Sequence, residues 1–292
     1  MPSLIDMRRR IRSVRNTQQI TKAMKMISAA RLRRAQERAF NARPYAGLIK
    51  EVLESLSARS GAQQHPLLAR RQQEKILALA LTGDRGLCGA FNTNIIRATE
   101  RFLAEHGQQQ VEMALIGRKG RDYFRRRRVH IRREMAGIFA KLDYGHAREL
   151  AGEVIASYTD QSIDGVFLIY NEFKSVISQR VVVEQLLPLE EFRAVSASAT
   201  GAAAAAAEVD YLYEQPPQDI YASLLPKYVE VQIFRALLES GAAEHAARMT
   251  AMDSATSNAG EMIDNLTLTM NRIRQATITK ELIEVVSGAA AQ

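Results

Sequence analysis

Residues 231–277 read VQIFRALLESGAAEHAARMTAMDSATSNAGEMIDNLTLTMNRIRQAT. Taken at alternating steps of four and three, the stretch yields Val231, Arg235, Leu238, Ala242, His245, Met249, Met252, Thr256, Ala259, Ile263, Leu266, Met270, Ile273 and Thr277. A seven-residue repeat of this kind is a coiled-coil seam, because a stripe so narrow cannot be buried by its own helix and must lie along another. No proline follows Pro226, so one helix is expected over most of 227–287. It would be roughly 90 Å long, against about a dozen residues for an average helix, and must project beyond an ordinary domain. Arg235, His245 and Thr256 are the irregular seam residues, places where register is set or packing yields.

The second helix is expected at the other end of the chain. Residues 3–43 lie between Pro2 and Pro44 with no glycine or proline, and the N-terminal helical segment is taken as 1–58. Leu4, Met7, Ile11 and Val14 keep coiled-coil spacing; Ile20, Met24 and Ile27 read as a second stripe, displaced around the helix by the polar stretch Asn16 to Gln19. Since both long segments belong to one chain, an antiparallel intramolecular pair is the economical arrangement.

The same N-terminal segment carries the charge. Residues 1–43 hold twelve Lys or Arg against Asp6 and Glu37, a net of +10, so the rest of the chain sums to −2 of the total +8. The sequence pI near 9.7 therefore describes one helix and implies a localised acidic partner. No apolar run reaches the eighteen or so residues of a membrane-spanning helix. The lone Cys88 excludes an intrachain disulfide and suits a reducing compartment. With 292 residues, 47% of them hydrophobic, the chain can build a substantial core beside the rod.

Between the ends, β-rich runs alternate with helical ones. Strands are expected at Lys75–Leu81, Val111–Ile116, Val129–Arg133, Gly165–Tyr170 and Val176–Gln185, with helices at Asn92–His106, Arg121–Arg128 and Tyr144–Tyr158 and a turn at Gly117–Gly120. The alternation predicts an α/β, Rossmann-like domain with a largely parallel sheet. The boundaries drawn are 1–58 for the N-terminal coiled-coil helix, 74–194 for the α/β domain, 195–210 for an alanine-rich flexible linker and 211–292 for the C-terminal helix that pairs with 1–58.

Catalytic signals are thin. After the first strand the glycines fall at Gly83, Gly86 and Gly89, which is neither G-x-G-x-x-G nor a P-loop, so simple turn chemistry is preferred to nucleotide binding. The five histidines, His65, His106, His130, His146 and His245, show no metal spacing. Cys88 has no identifiable catalytic partner. No catalytic residue, cofactor or metal site is assigned.

Particular strings then carry a family likeness: Ile20-Thr21-Lys22-Ala23-Met24-Lys25-Met26-Ile27, Arg43-Pro44-Tyr45 as a turn, Thr82-Gly83-Asp84-Arg85-Gly86-Leu87-Cys88-Gly89, Gln185-Leu186-Leu187-Pro188, and Arg272 through Gly288. In this order, over nearly the whole length, the chain closely resembles the gamma subunit family of F-type ATP synthases. The arginine run Arg125–Arg128 and the alanine-rich segment 195–207 depart from the family pattern.

The resemblance implies a non-catalytic central-stalk rotor that couples proton-driven rotation of the membrane ring to conformational change in the catalytic beta subunits. The partners it implies are three alpha and three beta subunits, the epsilon subunit and the membrane c-ring, with no nucleic acid and no direct small-molecule ligand. It places the chain peripherally on the cytoplasmic face of a bacterial inner membrane. By position, Met24, Lys25, Cys88, Arg248, Arg274, Gln275 and Thr279 are implied at the beta interface, and Tyr211 and Tyr213 at the membrane ring or epsilon. A solvated rod face is the alternative for the first group, core packing for Met24, and buried domain aromatics for the two tyrosines. The competing function is a basic coiled-coil nucleic-acid-binding protein, but there the basic region runs directly into the zipper, whereas here about 180 residues separate the two.

Overall fold

The computed structural model describes residues 3–60, 65–189 and 216–290. Its elements are α1 (Leu4–Ser60), β1 (Lys75–Leu81), α2 (Phe91–Glu105), β2 (Gln110–Ile116), α3 (Arg118–Phe124), β3 (His130–Met135), α4 (Tyr144–Thr159), β4 (Gly165–Phe173), β5 (Gln179–Leu187) and α5 (Pro217–Ala290). The chain divides into two compact units. One takes α1 up to Ala30 and α5 from Arg248 onward; the other runs from Arg31 to Ala247. The expected linker at 195–210, with Tyr211 and Tyr213, lies outside the described residues.

In the first unit, α1 starts at a reciprocal cap: Asp6 N donates to Ser3 Oγ and Ser3 N to an Asp6 carboxylate oxygen, both at 3.2 Å. Contacts then step along the two helices in opposite senses. Gln18 Nε2 reaches the Thr256 carbonyl at 3.5 Å, the Thr21 and Thr256 hydroxyls lie 2.8 Å apart, and Lys25 Nζ meets Asp253 at 2.6 Å. The pair is antiparallel. Every seam position from Met249 to Thr277 is at least partly buried, with Met252 and Ala259 the deepest.

The N-terminal half of this seam differs from the expected one. The covered positions on α1 are Leu4, Met7, Ile11, Val14, Gln18, Thr21, Lys25 and Ser28, an unbroken heptad that continues through polar residues. Ile20 and Ile27 point away, 60% and 54% exposed, and only Met24 of the second stripe is partly covered. The polar seam residues are tolerated because they find partners across the pair or on their own helix: the Thr21 hydroxyl also lies 3.0 Å from the Gln18 carbonyl. Substituting Ile20→Ser and Ile27→Ser should therefore change stability by under about 0.5 kcal/mol each. Met7→Ser, from a residue 2% exposed, should cost at least about 2 kcal/mol. Urea denaturation of the full chain separates the two, and equal costs would show that Ile20 and Ile27 are packed after all.

The second unit is built on a five-stranded sheet of order β3-β2-β1-β4-β5. All neighbours are parallel except the β4–β5 hairpin. β1 is central and buried from Ile76 to Leu81, so it reads as a continuous apolar run. Its alternate residues serve two cores. Leu77, Leu79 and Leu81 face the larger one, shared with Ala46, Ile49, Leu53 and Leu56 of α1, with α4, and with Val231, Ile233 and Leu237 of α5. Ala80 faces the smaller one with Met113, Leu115 and Phe124.

This packing explains why two prolines fail to end helices. The turn expected at Arg43-Pro44-Tyr45 is absent: α1 continues through Pro44 to Ser60. An internal proline costs about 3 kcal/mol, but the buried side chains of Ile49, Leu53 and Leu56 beyond it, at about 1.5–3 kcal/mol each, outweigh that. Likewise α5 begins at Pro217 and passes Pro226, ten residues before the expected start. Its stretch 231–247 is buried on almost every side and is as much core helix as seam. Arg235 is no packing defect, since its Nη2 lies 3.2 Å from Glu184 and 3.3 Å from the Tyr170 hydroxyl.

Two local boundaries also moved. Gly117, at φ 94°, makes the whole turn in one residue, so α3 begins at Arg118 and ends at the buried Phe124, before the arginine run. Hydrogen bonds between Ser175 and Ser178 hold 176–178 in a hairpin turn, so β5 starts at Gln179.

Candidate partner-binding surface

The first unit's α1 presents Arg8, Arg9, Arg10, Arg12, Arg15 and Lys22, all exposed and, among the described residues, without a carboxylate partner. Arg8, Arg12, Arg15 and Lys22 follow helical spacing and form one stripe beside the seam. Six like charges within residues 8–22 of α1 repel one another unless an acidic surface lies opposite.

Beyond Thr277, α5 is covered by none of the described residues. Residues 278–287 are all exposed, and among them Ile278, Leu282, Ile283, Val285 and Val286 are 48–70% exposed. A lone helical end of this length is marginal in water, and its bare apolar side chains call for a hydrophobic sleeve. A basic stripe and an apolar end on one antiparallel pair make a protein-binding surface.

The residues named from sequence sit differently from one another. Arg274, Gln275 and Thr279 are exposed, though the Thr279 hydroxyl turns back onto the Gln275 carbonyl at 2.9 Å. Met24 and Lys25 are half-buried, and Lys25 is engaged by Asp253. Arg248 is 7% exposed and Cys88 only 2%.

The glycine loop after β1 is tied down by two residues that spacing did not single out. Asn92, early in α2, accepts from Gly83 N at 2.8 Å and donates to the Arg85 carbonyl at 3.3 Å and to Cys88 Sγ at 3.1 Å. The Asp84 carboxylate accepts from Arg118 N at 3.1 Å and Gly137 N at 2.8 Å. Cys88 is thus the inward anchor, while Arg85 and Leu87 face outward, Leu87 63% exposed at a φ of 61°. A leucine held in the left-handed region is strained, and that strain marks the loop's outer tip.

The same loop lies at the carboxyl end of β1, between β2 and β4, where open α/β sheets bind nucleotides. Here the protein's own carboxylates occupy it. Asp84 takes backbone amides that could hold a phosphate, and a Cβ on Gly83 would meet Glu244 Cδ of α5 at 2.9 Å. Candidate metal clusters are absent among the described residues.

The ATP synthase family model matches residues 3–292. The ATP synthase gamma chain of Solibacter usitatus (strain Ellin6076) is 57% identical over 295 residues, covering 100% of this chain and 99% of that one. That of Pelotomaculum thermopropionicum is 48% identical over 293 residues, covering 100% and 99%. A chain in the central stalk and c-ring of Tetrahymena thermophila mitochondrial ATP synthase is similar at 27% identity and a TM-score of 0.63, over 81% of this chain and 99% of that one. A chain of Euglena gracilis mitochondrial ATP synthase, 20% identical, shares the fold at a TM-score of 0.67 over 99% of this chain and 94% of its own length. With a family match over nearly its whole length and a relative at 57% identity, this chain belongs to the ATP synthase gamma chain family.

Proposed function

We propose that the chain is the turning shaft of a bacterial ATP synthase, a non-catalytic subunit that couples rotation of the membrane ring to nucleotide affinity in the beta subunits. The observation that carries this reading is the exposed basic stripe, without a carboxylate partner among the described residues, on one helix of an antiparallel pair. A single asymmetric rod cannot touch three equivalent subunits alike, so each angle favours a different beta conformation. Linkage requires the converse, that nucleotide exchange turns the rod. Basic charge facing acidic levers attracts at long range without locking one geometry, which suits a contact that must slide.

Within this scheme Met24, Lys25, Arg274, Gln275, Thr279 and Arg248 belong to the beta interface. The loop anchored by Cys88 contributes through Arg85 and Leu87, and Tyr211 and Tyr213 belong to the foot on the membrane ring or epsilon. The rod is held at the cytoplasmic face of the membrane by those partners; among the described residues no helix is long and apolar enough to cross a membrane.

Reconstitution tests the proposal. Alpha and beta subunits combined with this chain are expected to hydrolyse ATP and to turn a bead fixed to the α/β unit in one direction. Stable assembly with hydrolysis but no rotation would refute it.

A further inference from the structure

The most exposed large apolar side chain among the described residues is that of Ile177, at 89%, and it crests the turn between β4 and β5. The turn is firmly bonded. Ser175 N donates to the Ser178 carbonyl and Ser178 N to Ser175 Oγ, both at 3.0 Å, while Gln179 Nε2 donates to the Val176 carbonyl at 2.8 Å. With the backbone around Ile177 already held, burying its side chain in a partner needs little further ordering.

A lone exposed aliphatic residue is ordinary, but Ile177 has a companion. β1 and β4 are parallel neighbours with Ala80 opposite Ile169, so the glycine loop that follows β1 and the turn that follows β4 leave the sheet at the same end. They are tied at the base, where Nδ2 of the buried Asn171 in β4 donates at 3.5 Å to the carbonyl of Phe91, which opens α2 after the loop. Leu87, strained outward at the loop's tip, is 63% exposed. Arg85, Arg118, Lys119, Lys174 and Arg180, all exposed, belong to the same end. Against them stand Asp84, taken up by the amides of Arg118 and Gly137, Glu172, 3.9 Å from Lys174, and Glu244, buried beneath Gly83. The end of the sheet is therefore net basic and carries two fixed aliphatic knobs.

We propose that the β4–β5 turn is a second contact for the beta subunit, with Ile177 seated in an apolar recess of an acidic beta surface beside the loop contact made by Arg85 and Leu87. This presupposes the rotor reading, in which beta acts on the glycine loop. The two knobs favour an acidic protein over a nucleic acid, because a phosphate backbone offers them nothing to bury against. Full burial of one isoleucine changes affinity about tenfold to a hundredfold. That suffices to favour one beta position and still lets the contact release as the rod turns. Leu87 and Ile177 are far apart in sequence, so no motif announces the pair.

Photo-crosslinking tests the contact. A benzophenone is attached to the full chain at Ile177→Cys and, in a second preparation, at Arg85→Cys; Cys88, only 2% exposed, stays unlabelled. Each chain is assembled with alpha, beta and epsilon subunits and illuminated. Both are expected to join to beta, and the product from Ile177→Cys should no longer rotate. A beta product from Arg85→Cys alone, with Ile177→Cys joining alpha, epsilon or nothing, overturns this proposal and leaves the rotor reading standing. No beta product from either overturns the proposal together with the loop's place at the interface. Ile177→Ser should keep the denaturation midpoint of the unsubstituted chain yet lower the coupled ATPase about threefold or more, while Ile177→Leu retains it. Full activity in a folded Ile177→Ser chain also overturns the proposal.

Discussion

Gly117→Ala is expected to abolish the native fold of the α/β unit. The residue sits at φ 94°, and a Cβ there would lie 1.9 Å from the Thr82 carbonyl oxygen and 2.6 Å from its carbon. Thr82 cannot move aside. It is fully buried, its N donates to the Ile116 carbonyl at 2.8 Å, and its hydroxyl accepts from Gly120 N at 2.8 Å, capping α3. Backbone strain of about 1–3 kcal/mol adds to a clash worth at least as much, which together take up much of a typical domain's stability of about 5–15 kcal/mol. Gly137→Ala supplies the control: its φ is also positive, 86°, but its Cβ would meet nothing within 4 Å, so only a strain of about 1–2 kcal/mol is expected. Urea denaturation followed by circular dichroism compares them. A Gly117→Ala chain as stable as Gly137→Ala would show that the turn rearranges.

Removing the residues after Arg274 should leave the α/β unit as stable as before yet lower the coupled ATPase of the reconstituted complex by about tenfold or more. The deleted segment contains the five exposed apolar side chains, each worth about 1.5–3 kcal/mol when buried by a partner, and it makes no contribution to either core cluster. The two readouts separate a folding defect from a lost bearing. Full activity in the shortened chain would mean that the basic stripe and the lower contacts carry torque alone.

The pH dependence of stability offers a quieter check within the second unit. Burial raises the pKa of Glu239, partly opposed by the Arg43 charge, so the folded state holds its proton more tightly than the unfolded state does. Its contribution is therefore most favourable below the ordinary carboxylate range and is lost as pH rises through the folded pKa. Denaturation midpoints of the unmodified chain should fall relative to Glu239→Gln between pH 4 and neutrality, roughly across the carboxylate range. Parallel curves would place the carboxyl in contact with water.

Much of the architecture could be read directly. The seam from Met249 to Thr277 is covered at each heptad position, and the strands β1, β2 and β4 begin within one residue of their apolar runs, because periodicity is a local consequence of one face being buried. The Arg- and Lys-rich start was legible as a localised charge for the same reason. The continuation of α1's seam through Gln18, Thr21, Lys25 and Ser28 was not: hydrophobicity pointed to Ile20 and Ile27 instead. Polar residues can occupy a seam only when partners such as Thr256 and Asp253 lie across it, and nothing in residues 3–30 announces those partners.

The loop at Thr82–Gly89 divides in the same way. Its glycines and its departure from phosphate-binding spacing were visible in the chain, and the partners of Asn92 lie only 4 to 9 residues away, but the role of Asp84 depends on amides 34 and 53 residues away and that of Glu244 on a different helix. What the amino-acid order alone determined is a basic helix, a heptad helix and an alternating α/β middle, since each is written in local period and charge. Only the tertiary structure decided that helices run through Pro44 and Pro226, that Cys88 faces inward while Leu87 faces out, and that Ile177 crests a turn at the same end of the sheet. Those outcomes turn on burial and pairing energies between distant segments, which outweigh local preference wherever several side chains are buried at once.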